Sequence, residues 1–166
     1  MITPHFIITL MTLEHARAIS EWDYPAPYNI YGWMPWKQMV DLRVEFADPV
    51  LRAEQYASII YEHGELCGFA QFFPLVGVTR LGIGMRPDLC GQGMGKSFVQ
   101  SIVNEAANRK PQDEIDLEVL TWNNRAIQVY QKVGFEITDS YERMTPDGNK
   151  PFYCMVFRQI SDFHDK

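Results

Sequence analysis

The chain has 166 residues, with 15 Lys and Arg against 21 Asp and Glu, a formal charge of −6 at pH 7 with His neutral. At 46% hydrophobic and 22% charged residues it has the make-up of an ordinary globular domain, and a chain of this length buries roughly two-thirds of its unfolded surface, which excludes intrinsic disorder and a small disulfide scaffold. The acidic balance offers no footprint for a phosphate backbone, because non-specific nucleic-acid affinity comes from Lys and Arg neutralising phosphates.

No repeat, low-complexity tract or linker divides the chain, so one domain over residues 1–166 is expected. Its first ten residues lack a basic segment followed by a long apolar stretch, and no run approaches the roughly 20 apolar residues of a membrane span. The expectation is a soluble, cytoplasmic protein with no membrane partner. Phe6 to Leu10 is β-rich, and Thr12 can N-cap a helix running to about Glu21. Trp22 to Trp36 then holds three prolines, a glycine and six large rings, which no regular element tolerates. Much of the 13% aromatic content is concentrated there. Lys37 to Ala47 reads as a second short helix, ended by Asp48-Pro49. Tyr56 to Tyr61 and Leu66 to Phe73 are strands joined at Glu62-His63-Gly64-Glu65, and Val76 to Met85 is a third extended run ending at Arg86-Pro87. Phe98, Val99, Ile102, Val103 and Ala106 recur at helical spacing, giving a helix to about Arg109. Ile115 to Leu120 is a strand, Asn123 to Val133 a helix, Phe135 to Thr138 a strand, and Pro151 to Arg158 a last strand after a Pro146-Asp147-Gly148 turn. This alternation in the C-terminal half indicates an α/β domain with some parallel pairing.

Cys67, Cys90 and Cys154 are odd in number and show no paired spacing, so they read as reduced thiols. His5, His15, His63 and His164 stand far apart, as surface or turn residues, and no metal is expected.

Leu81-Gly-Ile-Gly-Met-Arg-Pro-Asp-Leu-Cys-Gly-Gln-Gly-Met-Gly-Lys-Ser97 runs from a strand through a glycine-rich loop into a helix. Glycines let the backbone approach a ligand closely, and a helix N-terminus offers unpaired N–H groups and the positive end of its dipole, a geometry that binds phosphate or pyrophosphate. A dinucleotide fingerprint would need G-x-G-x-x-G, but the third glycine comes one residue early. A nucleotide-hydrolysing loop would need a glycine where Cys90 stands, and no later strand ends in the Asp expected for magnesium. Further on, Leu117-Glu-Val-Leu-Thr-Trp-Asn123-Asn-Arg-Ala126-Ile-Gln-Val-Tyr130-Gln-Lys-Val-Gly134-Phe135 contains an N-cap at Asn123, an apolar face of Ala126, Ile127, Tyr130 and Val133, and a glycine suited to ending the helix.

These two segments, in this order and spanning about residues 76 to 135, resemble the loop and the following block of the GNAT superfamily of acyl-CoA-dependent N-acetyltransferases. The first matches Q/R-x-x-G-x-G/A after a strand, the second N-x-x-A-x-x-x-Y closing on G-F. The resemblance implies an α/β fold, a single GNAT-like domain with a mixed central sheet of about six or seven strands flanked by about four helices, and acetyl-CoA as acyl donor. It assigns the cofactor to Ile83 and Met85 on the strand, to the loop Cys90, Gly91, Gln92, Gly93, Met94, Gly95 and Lys96, and to Asn123 from the other side. Cys90 departs from the family's Gln or Arg. Arg86 and Lys96 are expected to help hold the anionic cofactor.

Acylating an amine requires removal of a proton from the ammonium, stabilisation of the oxyanion and a proton for the departing thiolate. By resemblance to ribosomal-protein-alanine acetyltransferases, Glu118 is the candidate general base and Tyr130 the general acid, the phenol titrating near 10 and a thiol at roughly 8.5. The Met85 N–H is the expected oxyanion donor. Cys90, placed on a loop at the pyrophosphate end, is not expected to reach the acyl group, so direct attack in a ternary complex is preferred. The acceptor, a small-molecule amine or a peptide N-terminus, is expected against the rings of Trp22, Tyr24, Tyr28 and Tyr31, with Glu21 and Asp23 nearby to attract an amine. The other reading is a non-catalytic acyl-CoA sensor or interaction module. No nucleic-acid partner is expected, and a homodimer is left open.

Overall fold

The computed structural model describes residues 4–158; His164 lies outside them. Seven strands form one sheet in the order β1-β2-β3-β4-β5-β7-β6. In chain order the elements are β1 (Phe6–Leu10), α1 (Leu13–Ser20), α2 (Trp36–Leu42), α3 (Pro49–Gln55), β2 (Tyr56–Tyr61), β3 (Leu66–Leu75), β4 (Val78–Met85), α4 (Gly95–Arg109), β5 (Glu114–Leu120), α5 (Asn124–Val133), β6 (Phe135–Thr145) and β7 (Gly148–Phe157), with short 3₁₀ turns at Tyr28–Tyr31, Glu45–Ala47 and Pro87–Leu89. Every neighbouring pair is antiparallel except β4 and β5. Among the described residues no helix is long and apolar enough to cross a membrane.

The sheet carries an apolar layer on each face. On one, Phe98, Val99, Ile102 and Val103 of α4 and Ile127 and Val133 of α5 pack on Ala57, Ile59, Leu81, Leu117 and Val119. On the other, Ile19, Met39 and Phe46 from the first third of the chain cover Tyr56 and Phe69. Period-two alternation sorts these strand residues between the layers.

Beyond small shifts of element ends, two differences from the sequence reading have a local cause. Five α-helices flank the sheet rather than about four, because Asp48-Pro49 opens a helix instead of ending one. The Asp48 carboxylate accepts from the Val50 and Leu51 N–H groups at 2.8 and 3.1 Å, and Pro49 occupies the first helical position, where its missing N–H costs nothing. Strand β6 runs on to Thr145 rather than stopping at Thr138, because Tyr141 to Thr145 pair with Phe152 to Gly148 across the hairpin. A register shift between Ile137 and Asp139 breaks the alternation there, hiding the strand from a period-two reading.

Candidate active site

The cleft begins as a defect in the sheet. Strands β4 and β5 pair in parallel only from Val78–Glu114 to Leu81–Leu117; beyond Leu81 they part. The Arg86 N–H donates to the Cys67 carbonyl at 2.7 Å, which fixes the phase of the antiparallel β3–β4 ladder. With the register Phe69–Gly84 and Gln71–Gly82, alternation leaves the N–H and C=O groups of Ile83 and Met85 turned away from β3 and toward the gap. The opening lies within a cleft of about 690 Å³ that reaches both faces of the sheet.

On the α4 side the cleft is built from main chain. After Met85 the 3₁₀ turn folds the chain back, and Gly91 and Gly93 take φ of +75° and +79° with nothing within 4 Å of where a Cβ would stand. What these positions need is the left-handed conformation, not space. Helix α4 starts without a side-chain cap; its first repeating bond is Phe98 N–H to Met94 C=O, so the amides of Gly95, Lys96 and Ser97 are left to point out of the helix. A Cβ on Gly95 would stand 3.0 Å from Val129 of α5, so this glycine sets how closely the two helices approach beneath the loop. Lys96, Arg125 and Lys132 line this part of the cleft.

The predicted loop does not act as one block. Cys90, Gly91, Gly93, Gly95 and Lys96 line the cleft, whereas the Gln92 side chain folds back to the Asp88 carbonyl at 2.5 Å and Met94 packs on the core, its sulfur 3.5 Å from the Tyr61 hydroxyl. Arg86 is not free to meet a phosphate: it chelates Asp88 through Nε and Nη2 at 2.6 and 3.1 Å and donates from Nη1 to Glu65 and to the Leu66 carbonyl. Cys90 stays close to β4. The 3₁₀ turn returns it to the strand, with Sγ 3.8 Å from the Met85 carbonyl and 3.6 Å from that of Arg86. Burial pushes its thiol up, holding it protonated and poorly nucleophilic.

Asn123 is buried at the opposite lip. Its Oδ1 caps α5, accepting from the Ala126 N–H at 3.2 Å, and its Nδ2 donates to the Tyr31 hydroxyl at 2.9 Å. Tyr130 lines the cleft two helical turns further on, edge-on to Phe135, and its hydroxyl has no hydrogen-bond partner among the described residues. Burial, with Tyr31 nearby, raises its pKa; the phenol therefore keeps its proton throughout the neutral range.

The aromatic segment spans the two lips. Tyr24 donates to the Met85 carbonyl at 2.7 Å, Tyr31 receives the Asn123 amide, and Tyr28 stacks near Trp122 with the Arg125 guanidinium 3.8 Å over its ring. All three tyrosines line the cleft, as does Trp33, but Trp22 does not: it lies against Phe69 in the apolar layer. Glu21 and Asp23 are likewise outside the lining, Glu21 ending α1.

On the acceptor side, opposite α4, Glu118 is the only acidic residue of the cleft lining among the described residues. Arg80 chelates Asp116 through Nε and Nη2 at 3.0 and 2.9 Å and reaches Glu118 Oε1 from Nη1 at 3.2 Å. Arg143 donates to the same Oε1 at 2.6 Å, and the Tyr141 hydroxyl donates to Oε2. With its side chain only 9% exposed, Glu118 is a buried charge compensated from three directions. Arg80, Tyr141, Arg143 and Phe152, together with Phe69 and Arg125, were not singled out from the sequence. Only the parallel register would have aligned Arg80 with Asp116, and only the long β6 brings Tyr141 and Arg143 across.

The Acetyltransferase (GNAT) family model matches residues 13–135, and the chain belongs to that family. No curated protein sequence matches it. Among solved structures it is similar to a spermidine N-acetyltransferase from Vibrio cholerae in complex with CoA and spermine, at 13% identity over 92% of this chain and 94% of that one, TM-score 0.72. It is also similar to an acetyltransferase of the GNAT family from Bacillus anthracis, at 12% identity over 93% and 95%, TM-score 0.74. A ribosomal-protein-alanine N-acetyltransferase from Escherichia coli shares 18% identity over 98% and 100%, TM-score 0.63. At these identities the likeness is one of fold. Enzymes of this family use acetyl-CoA as acyl donor, and the amide-rich, glycine-flanked start of α4 with Lys96 fits a pyrophosphate-bearing donor.

Proposed function

We propose that the protein transfers an acetyl group from acetyl-CoA to a primary amine by direct attack in a ternary complex. The observation that carries this reading is the gap between β4 and β5, where the main-chain groups of Ile83 and Met85, turned away from β3, share the cleft with Tyr130 and Asn123. Bound acetyl-CoA supplies the thioester. The glycine loop, the open amides of α4 and Lys96 take its pyrophosphate, and Ile83, Met85 and Asn123 flank its arm. The Met85 N–H, fixed in the strand, donates to the oxygen on which charge develops.

Glu118 takes one proton from the acceptor's ammonium, the amine nitrogen bonds to the acyl carbon as the carbon–sulfur bond breaks, Tyr130 protonates the departing thiolate, and the second proton shed by the acylated nitrogen returns the phenol to its neutral form. Glu118 supports this role as the one acid lining the cleft among the described residues, and its three donors hold it in place. Tyr130 supports its own with a protonated hydroxyl that has no hydrogen-bond partner among the described residues.

Release of CoA thiol on adding amines to protein and acetyl-CoA tests the reading. Turnover should fall about a hundredfold or more in Tyr130→Phe, with acetyl-CoA still raising the melting temperature of the variant. Stabilisation by acetyl-CoA without thiol release from any amine would establish the sensor instead.

A further inference from the structure

The acceptor end of the cleft has the chemistry of a particular kind of amine. We propose that the acceptor carries its own carboxylate next to the reacting nitrogen, on an apolar body: an α-amino acid with an aromatic or aliphatic side chain. This rests on the transferase reading above and deepens it.

Charge comes first. Glu118 and Asp116 are the carboxylates beside this end, and both are already matched by guanidiniums, Asp116 by Arg80 and Glu118 by Arg80 and Arg143. The cluster is neutral, two against two, so it offers no surplus negative charge to an acceptor with several ammonium groups. Past Glu118 the sign turns positive. Arg143 uses only Nη1 on Glu118, its side chain is half exposed, and Nε and Nη2 have no partner among the described residues. Lys150 stands directly opposite Arg143 in the β6–β7 register, on the same face, and forms no ion pair among the described residues. Two like charges opposite each other across a ladder are unfavourable unless something anionic joins them. Asp139, on this face of β6, lies beyond Tyr141 and pairs with neither cation.

Shape follows. The Arg143 guanidinium sits 5.4 Å from the Phe152 ring, and Phe152 lines the cleft together with Phe69 and Trp33. Trp33 meets Phe69 edge-on at 5.8 Å. The cationic rim thus adjoins a chamber walled by rings, the surroundings of an apolar side chain.

Spacing joins the two. Arg143 Nη1 is 2.6 Å from Glu118 Oε1, so a group seated on the unused face of Arg143 lies beside one seated on Glu118. In an α-amino acid the carboxylate and the amine share one carbon. With nitrogen toward Glu118 and the gap, the carboxylate falls to Arg143 and Lys150 as a charge-assisted pair. The same rim repels the distal ammonium groups of a polyamine.

Thiol release at saturating acetyl-CoA, with phenylalanine, phenethylamine and spermidine as matched acceptors, reads this out. Expected is a kcat/KM for phenylalanine at least about tenfold above that for the other two, the worth of one charge-assisted contact. Lys150→Gln should raise KM several-fold more for phenylalanine than for phenethylamine, and Arg143→Lys, which keeps the charge but loses the fork, should narrow the same preference. Equal or better turnover of phenethylamine or spermidine overturns the acceptor class and leaves the transferase reading standing. No thiol from any of the three, while some other amine is turned over, likewise overturns the acceptor class alone; no thiol from any amine, while acetyl-CoA still stabilises the fold, overturns both.

Discussion

The two sides of the gap are built from different materials. On the α4 side the surface facing the cleft is main chain: the turned groups of Ile83 and Met85, two left-handed glycines and the open amides of α4. On the acceptor side it is side chain, and the contributors come from across the chain: Trp33 from a loop, Phe69 from β3, Glu118 from β5 and Phe152 from β7 line the cleft, while Arg80 from β4 and Arg143 from β6 hold Glu118. Main-chain geometry is set by nearest neighbours in sequence, so one contiguous segment can specify it. A constellation drawn from six elements exists only once the sheet has assembled. The donor side therefore tolerates change in its side chains but not in its backbone; on the acceptor side the reverse holds.

The largest effect should come from the acceptor side. Glu118→Gln should lower kcat about a hundredfold near neutral pH, and the deficit should shrink as pH approaches the amine's own pKa, where the acceptor arrives already deprotonated. A pH–rate profile of variant and parent shows this. A deficit of constant size would mean that Glu118 only holds Arg80 and Arg143. Next is Gly84→Ala, at the boundary between the two sides: a Cβ there would stand 2.1 Å from the Phe69 ring, and overpacking of this kind should cost about 2 kcal/mol in urea denaturation. Gly91→Ala meets no neighbour and should cost about 1 kcal/mol from the left-handed backbone alone, with weakened acetyl-CoA binding in a titration. If Gly91→Ala proved costlier than Gly84→Ala, the main-chain account of the loop would be wrong. Asn123→Ala should lose about 1 kcal/mol with the cap of α5.

The smallest effect concerns neither side but the strand behind them. Burial pushes the Cys67 thiol up to about 11, whereas in the unfolded chain it ionises at about 8.5. Its contribution to stability is present below that range and is lost as pH rises toward 11, because the unfolded state gives up the proton first. Denaturation midpoints at pH 8 and 10.5 should fall less steeply in Cys67→Ala than in the parent.

How much of this was legible follows the same division. The limits of β1 and β2 stand in the sequence because alternation and turn residues mark them, and the Asn123 cap because its three-residue reach is local. Arg86 was expected at the cofactor, but its guanidinium is taken up by Asp88, two residues on, and by Glu65 in the turn before β3. That Cys90 lies beside Met85 was hidden because the short 3₁₀ turn at Pro87–Leu89 reverses the chain. Trp22 and Tyr24 are two residues apart in one irregular segment, yet one ring is buried on Phe69 and the other reaches Met85; without a period, composition could not separate them. The Glu118 cluster depended on the register of β6, which the bulge at Ile137–Asp139 concealed.

The ties made by Tyr24 and Tyr31 bear on when the site comes into being. Tyr24 to Met85 spans 61 residues and Tyr31 to Asn123 spans 92. Closing loops of such length is slow and is rewarded only after the elements between them have formed. On the ribosome Tyr31 must wait for Asn123 to emerge, long after β1 to β4 can pair. Competence to hold the donor is then among the last properties the chain acquires, and in a refolding time course it should trail the Trp signal of the apolar layer around Phe46 and Phe69.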